Sequence, residues 1–175
     1  MKNMLLASLL LLSLAASAET IEGRVIKVSD GDTVNILDDA HQKYHVRLSG
    51  IDAPEKDQPF GKRAQQKLSE LVFGKQVVFE WKKLDHRKRP VGKLYVAQSN
   101  CPSCAPIDTG FEVLKAGLAW HYKQYQREQT PEDRVLYAEA EEKARSLRNG
   151  LWYDENPTPP WEWRKAKKEA HKKAQ

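Results

Sequence analysis

Polar and apolar positions alternate in three short runs near the start of the chain, Thr20 to Val28, Thr33 to Leu37 and Lys43 to Ser49. In the third, Tyr44, Val46 and Leu48 share one face while His45 and Arg47 share the other, the mark of a half-buried strand. Asp30-Gly31 and Asp38-Asp39 supply turns between them. After Pro54 and Pro59 the period lengthens: Ala64, Leu68, Leu71 and Val72 recur at helical spacing until Gly74 stops the run. Two more strands are predicted, Gln76 to Lys82 with Val77, Phe79 and Trp81 on one face, and Val91 to Ala97. The last third predicts two helices. One starts at Thr109-Gly110-Phe111-Glu112, a capping-box spacing, and runs through Val113, Leu114 and Leu118. The other has Thr130 as cap and Pro131 at its first position, carries Leu136, Ala140, Ala144 and Leu147 on one stripe, and ends at Asn149-Gly150. From Pro157 the chain is proline-rich, with Trp161 and Trp163 as expected anchors, and it then turns basic.

Three strands, a helix, two strands and further helices give an α+β chain: a five-stranded OB-type β-barrel with one helix between strands three and four and helices at its C-terminal end. Closing the barrel removes exposed sheet edges. Many such barrels only bind ligands, so this architecture leaves catalysis open.

Residues 1–18 read as a secretory signal rather than as part of the fold. Met1-Lys2-Asn3 precedes an apolar run from Met4 to Leu14 and the small residues Ala16-Ser17-Ala18. That run is shorter than the roughly 20 apolar residues that span a bilayer. The expected organisation is therefore a signal over 1–18, one domain over 19–163 and a basic tail over 164–175, with the product secreted or periplasmic, monomeric and not held at a membrane. Export would place Cys101 and Cys104, the only cysteines, in an oxidising compartment, where a local disulfide is the expected state. Closing so small a loop restricts the unfolded chain by only roughly 2 kcal/mol. A redox site would need this Cys-Pro-Ser-Cys at a strand-to-helix junction, and zinc would need two further ligands at matching spacing.

The formal net charge of +5 is unevenly spread, because the tail carries Arg164, Lys165, Lys167, Lys168, Lys172 and Lys173 against Glu169 alone. Such a run is either a solvated surface or an arm that attracts a polyanion.

The chemistry concentrates in Ser29-Asp30-Gly31-Asp32-Thr33 and in Arg47-Leu48-Ser49-Gly50-Ile51-Asp52-Ala53-Pro54-Glu55. Taken singly, Asp32 is a turn residue, Asp52 a helix cap with Glu55 three residues on, and Arg47 a surface strand residue. Pro54 and Pro59 speak against a regular helix after Asp52. Together they suit attack of water on a phosphodiester. Asp32 and Asp52 would supply hard oxygen ligands to Ca²⁺ or a similar cation, Glu55 would deprotonate the water, and Arg47 would neutralise charge on the phosphoryl oxygens with its planar fork.

These blocks resemble the two signature segments of the staphylococcal (micrococcal) nuclease family, in the family's order. A third stretch, Asp85-His86-Arg87-Lys88-Arg89-Pro90-Val91-Gly92-Lys93-Leu94-Tyr95, resembles that family's Asp-Arg-Tyr-Gly-Arg-x-x-Gly-x-x-Tyr. The resemblance extends from about Glu22 to Trp163 through Gly117-Leu118-Ala119-Trp120, Asn149-Gly150-Leu151-Trp152 and Pro160-Trp161-Glu162-Trp163-Arg164. It implies a secreted, thermonuclease-like, Ca²⁺-dependent endonuclease that cleaves DNA and RNA to 3′-phosphate ends. It also implies metal ligation by Asp32, Asp52 and the main-chain carbonyl of Ala53, with Arg47, Glu55 and Arg89 catalytic.

Three departures stand out. Alanine occupies position 53 where the staphylococcal enzyme has threonine, which a carbonyl ligand tolerates. Arg87-Lys88 replaces the family's Tyr-Gly, removing a glycine turn and a phenol, and leaves Arg87 as well as Arg89 in reach of one phosphate. The loop at 99–107 reads as an insertion. Arg87, Lys88, Tyr122 and Tyr125 are candidate substrate contacts, the tyrosines as stacking platforms or equally as filler. His121-x-Lys123 lacks the second copy and the aspartate that a phospholipase-D-like motif needs, and His41, His45, His86 and His171 lack ligand spacing. The competing readings are a catalytically inactive OB-fold nucleic-acid-binding module, expected had one of the five acid or arginine positions been lost, and a purely structural domain, which gives clustered acids no purpose.

Overall fold

The computed structural model describes residues 19–99, 101 and 103–174; the segment read as an export signal lies outside them. Five strands close into a barrel. β1 (Glu19–Val28) pairs antiparallel with β2 (Thr33–Leu37) on one side and with β5 (Gln76–Leu84) on the other. β2 pairs with β3 (Lys43–Leu48), and β5 with β6 (Pro90–Val96). A short parallel pairing, Arg47 opposite Val91 and Leu48 opposite Gly92, joins β3 to β6 and closes the ring. The α+β, OB-type barrel expected from the strand pattern is thus the observed one, with strand ends displaced by two residues at most.

The alternating positions point inward. Val25, Ile36, Val46, Phe79 and Leu94 fill the barrel, and α1 (Gly61–Val72) caps one end with Ala64, Leu68 and Val72. Two-residue strands, β4 (Ile51–Asp52) and β8 (Trp120–His121), pair with each other, and β7 (Ile107–Asp108) adds to β6. Strands this short carry no readable period, so the sequence does not announce them. The cysteines sit in the loop between β6 and β7, where Cys101 and Cys104 are joined as a disulfide.

α2 spans Thr109–Lys115 and begins one residue earlier than its sequence suggests. Its cap is Asp108, which accepts the Phe111 N–H, whereas the buried Thr109 hydroxyl donates to the Leu94 carbonyl and ties the helix to the barrel. The helix stops before Leu118. α3 (Pro131–Ser146) has the expected Thr130 cap, which accepts the Asp133 N–H, but its buried stripe is Tyr137, Ala140, Glu141 and Ala144. Leu136 and Leu147 are exposed. The phase slips because Tyr137 buries its ring against Phe111 and satisfies its hydroxyl on Asp108, while Glu141 accepts the His121 N–H. The αL residue that ends α3 is Arg148, not the glycine. Gly150 serves close approach instead, since a Cβ there would lie 2.2 Å from the Gly117 carbonyl oxygen. A last helix, α4 (Pro160–Lys173), follows a 3₁₀ turn at Gly150–Tyr153 and contains most of the stretch read as a basic tail.

Candidate active site

The carboxylate of Asp32 is delivered by a tight turn between β1 and β2. Asp30 accepts the Asp32 N–H at 3.0 Å, and the turn lies so close to α1 that a Cβ on Gly31 would come within 2.6 Å of Ala64 and 2.7 Å of Ala53. Only glycine fits there. Burial, reinforced by the neighbouring Asp32 charge, pushes the Asp30 carboxyl up to about 7. The Leu48 N–H donates to the Asp32 carbonyl, and Thr33 stands opposite Arg47 in the β2–β3 ladder, so the acid and the arginine emerge side by side.

Asp52 comes from β4, which the Trp120 pairing pins beneath the barrel mouth, and its side chain is fully buried. Arg47 joins the two acids. Its Nη1 donates to Asp32 Oδ1 at 3.1 Å, and its Nη2 lies 2.9 Å from Asp32 Oδ2 and 2.6 Å from Asp52 Oδ1. Burial raises the Asp52 carboxyl above its ordinary range and Asp32 adds to this, while Arg164 and Arg47 oppose it. Desolvation works against the Arg47 charge, but the Asp32 and Asp52 carboxylates outweigh it and hold the guanidinium protonated.

Glu55 lies in the loop after Pro54, half-buried, with its N–H on the Gln58 side-chain oxygen at 3.2 Å. Its Oε1 accepts from Arg164 Nη1 at 2.9 Å. The same guanidinium reaches Asp52 twice, at 3.1 Å to Oδ1 and 2.7 Å to Oδ2. The sequence assigns two residues at this site no role in it. Arg164 was counted as tail charge, although Trp161 and Trp163 just before it signal a docked helix start. Gln58, almost wholly buried, bridges Glu55 to the Thr158 carbonyl, and nothing in its sequence context marks it.

Arg89 is near this group but differently engaged. It ends the β5–β6 turn two residues before Val91, the ladder neighbour of Arg47. Its Nε donates to Asp85 at 2.8 Å, and its Nη2 lies at the same distance. Burial would raise the Asp85 carboxyl, yet the Arg89 N–H and guanidinium hold it below the usual range. Arg87 and Lys88 are exposed, and Lys88 takes the left-handed conformation, with φ 60°, that ordinarily favours glycine. Of the tyrosines, Tyr122 stacks on Trp161 with ring centroids 5.8 Å apart, and Tyr125 packs edge-on against Tyr122 under Lys83. His121 is buried and bonded to Gln129, and His45 is exposed on Asn35, so neither resembles a ligand.

Among the described residues no three His, Cys, Asp or Glu side chains form a ready-made metal cage. The donor chemistry nevertheless suits a hard cation: Asp32, from the β1–β2 turn, and Asp52, from β4, turn carboxylate oxygens onto one nitrogen of Arg47. Ala53 is buried beside them and donates its N–H to Asp32 Oδ2 at 3.0 Å.

The OB-type barrel thus gathers three carboxylates and two guanidinium groups into one ion-paired cluster. Residues 45–154 match the family described as staphylococcal nuclease homologue. Over 166 residues the chain is 39% identical to a micrococcal nuclease of Shigella flexneri, covering 94% of this chain and 91% of that one. It is 38% identical over 170 residues to an uncharacterized endonuclease of Haemophilus influenzae, covering 95% and 88%. With Protein ParB of Escherichia coli it shares 37% over 163 residues, covering 91% and 88%. The chain belongs to the staphylococcal nuclease family.

Proposed function

We propose that the protein is a Ca²⁺-dependent endonuclease that hydrolyses phosphodiester bonds of DNA and RNA and leaves 3′-phosphate ends. One observation carries this reading: Asp32, Asp52 and Glu55, from three separate segments, are gathered within reach of the Arg47 and Arg164 guanidinium groups. A binding module has no use for buried acids beside the place of a phosphate, since they repel the ligand.

Asp32 and Asp52 would hold the cation with the Ala53 carbonyl, and the bound cation would polarise a non-bridging phosphoryl oxygen. Glu55 Oε2, the oxygen not engaged by Arg164, would accept a proton from the attacking water. The water oxygen bonds to phosphorus as the bond to the 5′ oxygen breaks, and that oxygen takes up a proton from solvent. Arg47 would turn one edge of its fork to the equatorial oxygens as charge grows there. Arg89, with Nε and Nη2 on Asp85, presents Nη1 to the same phosphate, while the exposed Arg87 and Lys88 meet flanking phosphates. Tyr125, 43% exposed, offers a ring to a neighbouring base; Tyr122 already shares its face with Trp161.

We further propose that the protein acts outside the cytoplasm, as a monomer without lasting membrane association. The apolar N-terminal run and the Cys101–Cys104 disulfide support export. Among the described residues no helix is long and apolar enough to cross a membrane.

Incubation with plasmid DNA and with a single-stranded RNA, in Ca²⁺ and then in excess EGTA, tests the function. Strand cleavage in Ca²⁺ that stops in EGTA is expected, with 3′-phosphate ends. Binding of DNA without cleavage under any divalent cation would leave the inactive binding module as the reading.

A further inference from the structure

The oxygens of Asp32 are fully subscribed. Oδ1 accepts from the Thr33 hydroxyl at 2.8 Å and from Arg47 Nη1 at 3.1 Å. Oδ2 accepts from the Ala53 N–H at 3.0 Å and faces Arg47 Nη2 at 2.9 Å. At Asp52, Oδ1 takes Arg47 Nη2 at 2.6 Å and Arg164 Nη1 at 3.1 Å, and Oδ2 takes Arg164 Nη2 at 2.7 Å. An ionised carboxylate offers about four lone-pair directions. Asp32 therefore has none to spare and Asp52 has one. A calcium ion wants six to eight oxygens at about 2.3–2.6 Å. Entry of such a cation requires one of these donors to leave.

The donors differ in how firmly they are built in. Thr33 lies in β2 of the barrel wall, Ala53 is buried directly after β4, and Arg47 is held in β3 between ladder partners Thr33 and Val91. Arg164 arrives on α4, in which Pro160 is the only buried residue. Besides Arg164, contacts that hold this helix include the Trp161 ring on Tyr122 and Trp120, the half-buried Trp163 beside Asp57 and an exposed Lys167–Asp57 pair. The Arg164 side chain is 35% exposed, so water can replace its contacts.

Resting on the cation reading above, we infer that Arg164 is a displaceable latch: its guanidinium fills carboxylate positions that a divalent cation takes, and cation loading expels it from Asp52. Docking of α4 and loading of the site are then opposed equilibria, and each weakens the other by the same factor. Release also loosens the helix, because a helix this short is marginal without tertiary contacts.

The test uses the mature chain and its Arg164→Gln and Arg164→Lys variants, with Ca²⁺ affinity from calorimetry and amide hydrogen exchange over residues 160–173 with and without Ca²⁺. Arg164→Gln is expected to bind Ca²⁺ on the order of tenfold more tightly. Arg164→Lys keeps the charge but loses the two-armed contact, and is expected to tighten binding as well. In the unsubstituted chain Ca²⁺ speeds exchange over 160–173, whereas in both variants exchange is already fast. Wild-type affinity in Arg164→Lys would reduce the effect to charge alone and overturn the latch. So would saturation with Ca²⁺ that leaves exchange in the unsubstituted chain unaltered. Failure of all three proteins to bind Ca²⁺ would instead strike the cation reading itself, and the latch would fall with it.

Discussion

The side-chain amide of Gln58 donates to the Thr158 carbonyl at 2.6 Å, while its oxygen accepts the Glu55 N–H at 3.2 Å. One buried residue thus fixes the loop that carries Glu55 to the segment that leads into α4. Replacing it with leucine keeps the volume but leaves a donor and an acceptor of the main chain without partners, a cost of about 1–3 kcal/mol. Gln58→Leu is expected to lower stability by that amount in urea unfolding. It is also expected to lower kcat further than the loss of folded protein explains, because Glu55 is no longer held. Unchanged kcat at full folding would show that the loop keeps its position without Gln58.

Glu55→Gln keeps the shape of the side chain and one acceptor for Arg164 but cannot take a proton from water near neutrality. Turnover should fall by about 10² or more, the usual weight of a general base. Oligonucleotide affinity, measured under conditions that block cleavage, should stay within a few fold. Near-normal turnover would remove Glu55 as the base and shift that role to another group beside Asp52.

What could be read from the chain, and what could not, follows from the length scale of each signal. The barrel strands were legible because alternation over five or more residues has one physical explanation, a surface with one face in a core. β4 and β8 were not, although Asp52 depends on them, because a two-residue strand is held by its neighbours and not by its own pattern. α3 shifted its buried stripe because Tyr137 and Glu141 are buried through polar partners, while a count of apolar residues favours Leu136 and Leu147. The blocks that carry Asp32, Arg47, Asp52 and Glu55 stand out in the sequence, and the fold brings these four side chains together. Arg164 was hidden because composition reads it with the lysines that follow, and only the fold separates a guanidinium on buried acids from charges in water.

Those lysines carry the remaining expectation. Lys165, Lys168, Lys172 and Lys173 are exposed on α4, whose second turn brings Arg164 onto Asp52 and Glu55, so their field extends outward from the proposed cleavage site. Polyanion binding through such a face is driven by counterion release, and log K falls with log salt by about 0.7 per phosphate contact on single strands and about 0.9 on duplex DNA. Glutamine preserves helix propensity, so replacing these four while leaving Lys167 on Asp57 removes charge and not structure. The variant should bind both kinds of substrate more weakly at low salt, with a shallower salt slope, and should still cleave. The loss should be similar across sequences, because phosphate contacts carry no base information. A slope equal to that of the unsubstituted protein would mean that nucleic acid never touches this side of the helix, and that the basic run serves solubility alone.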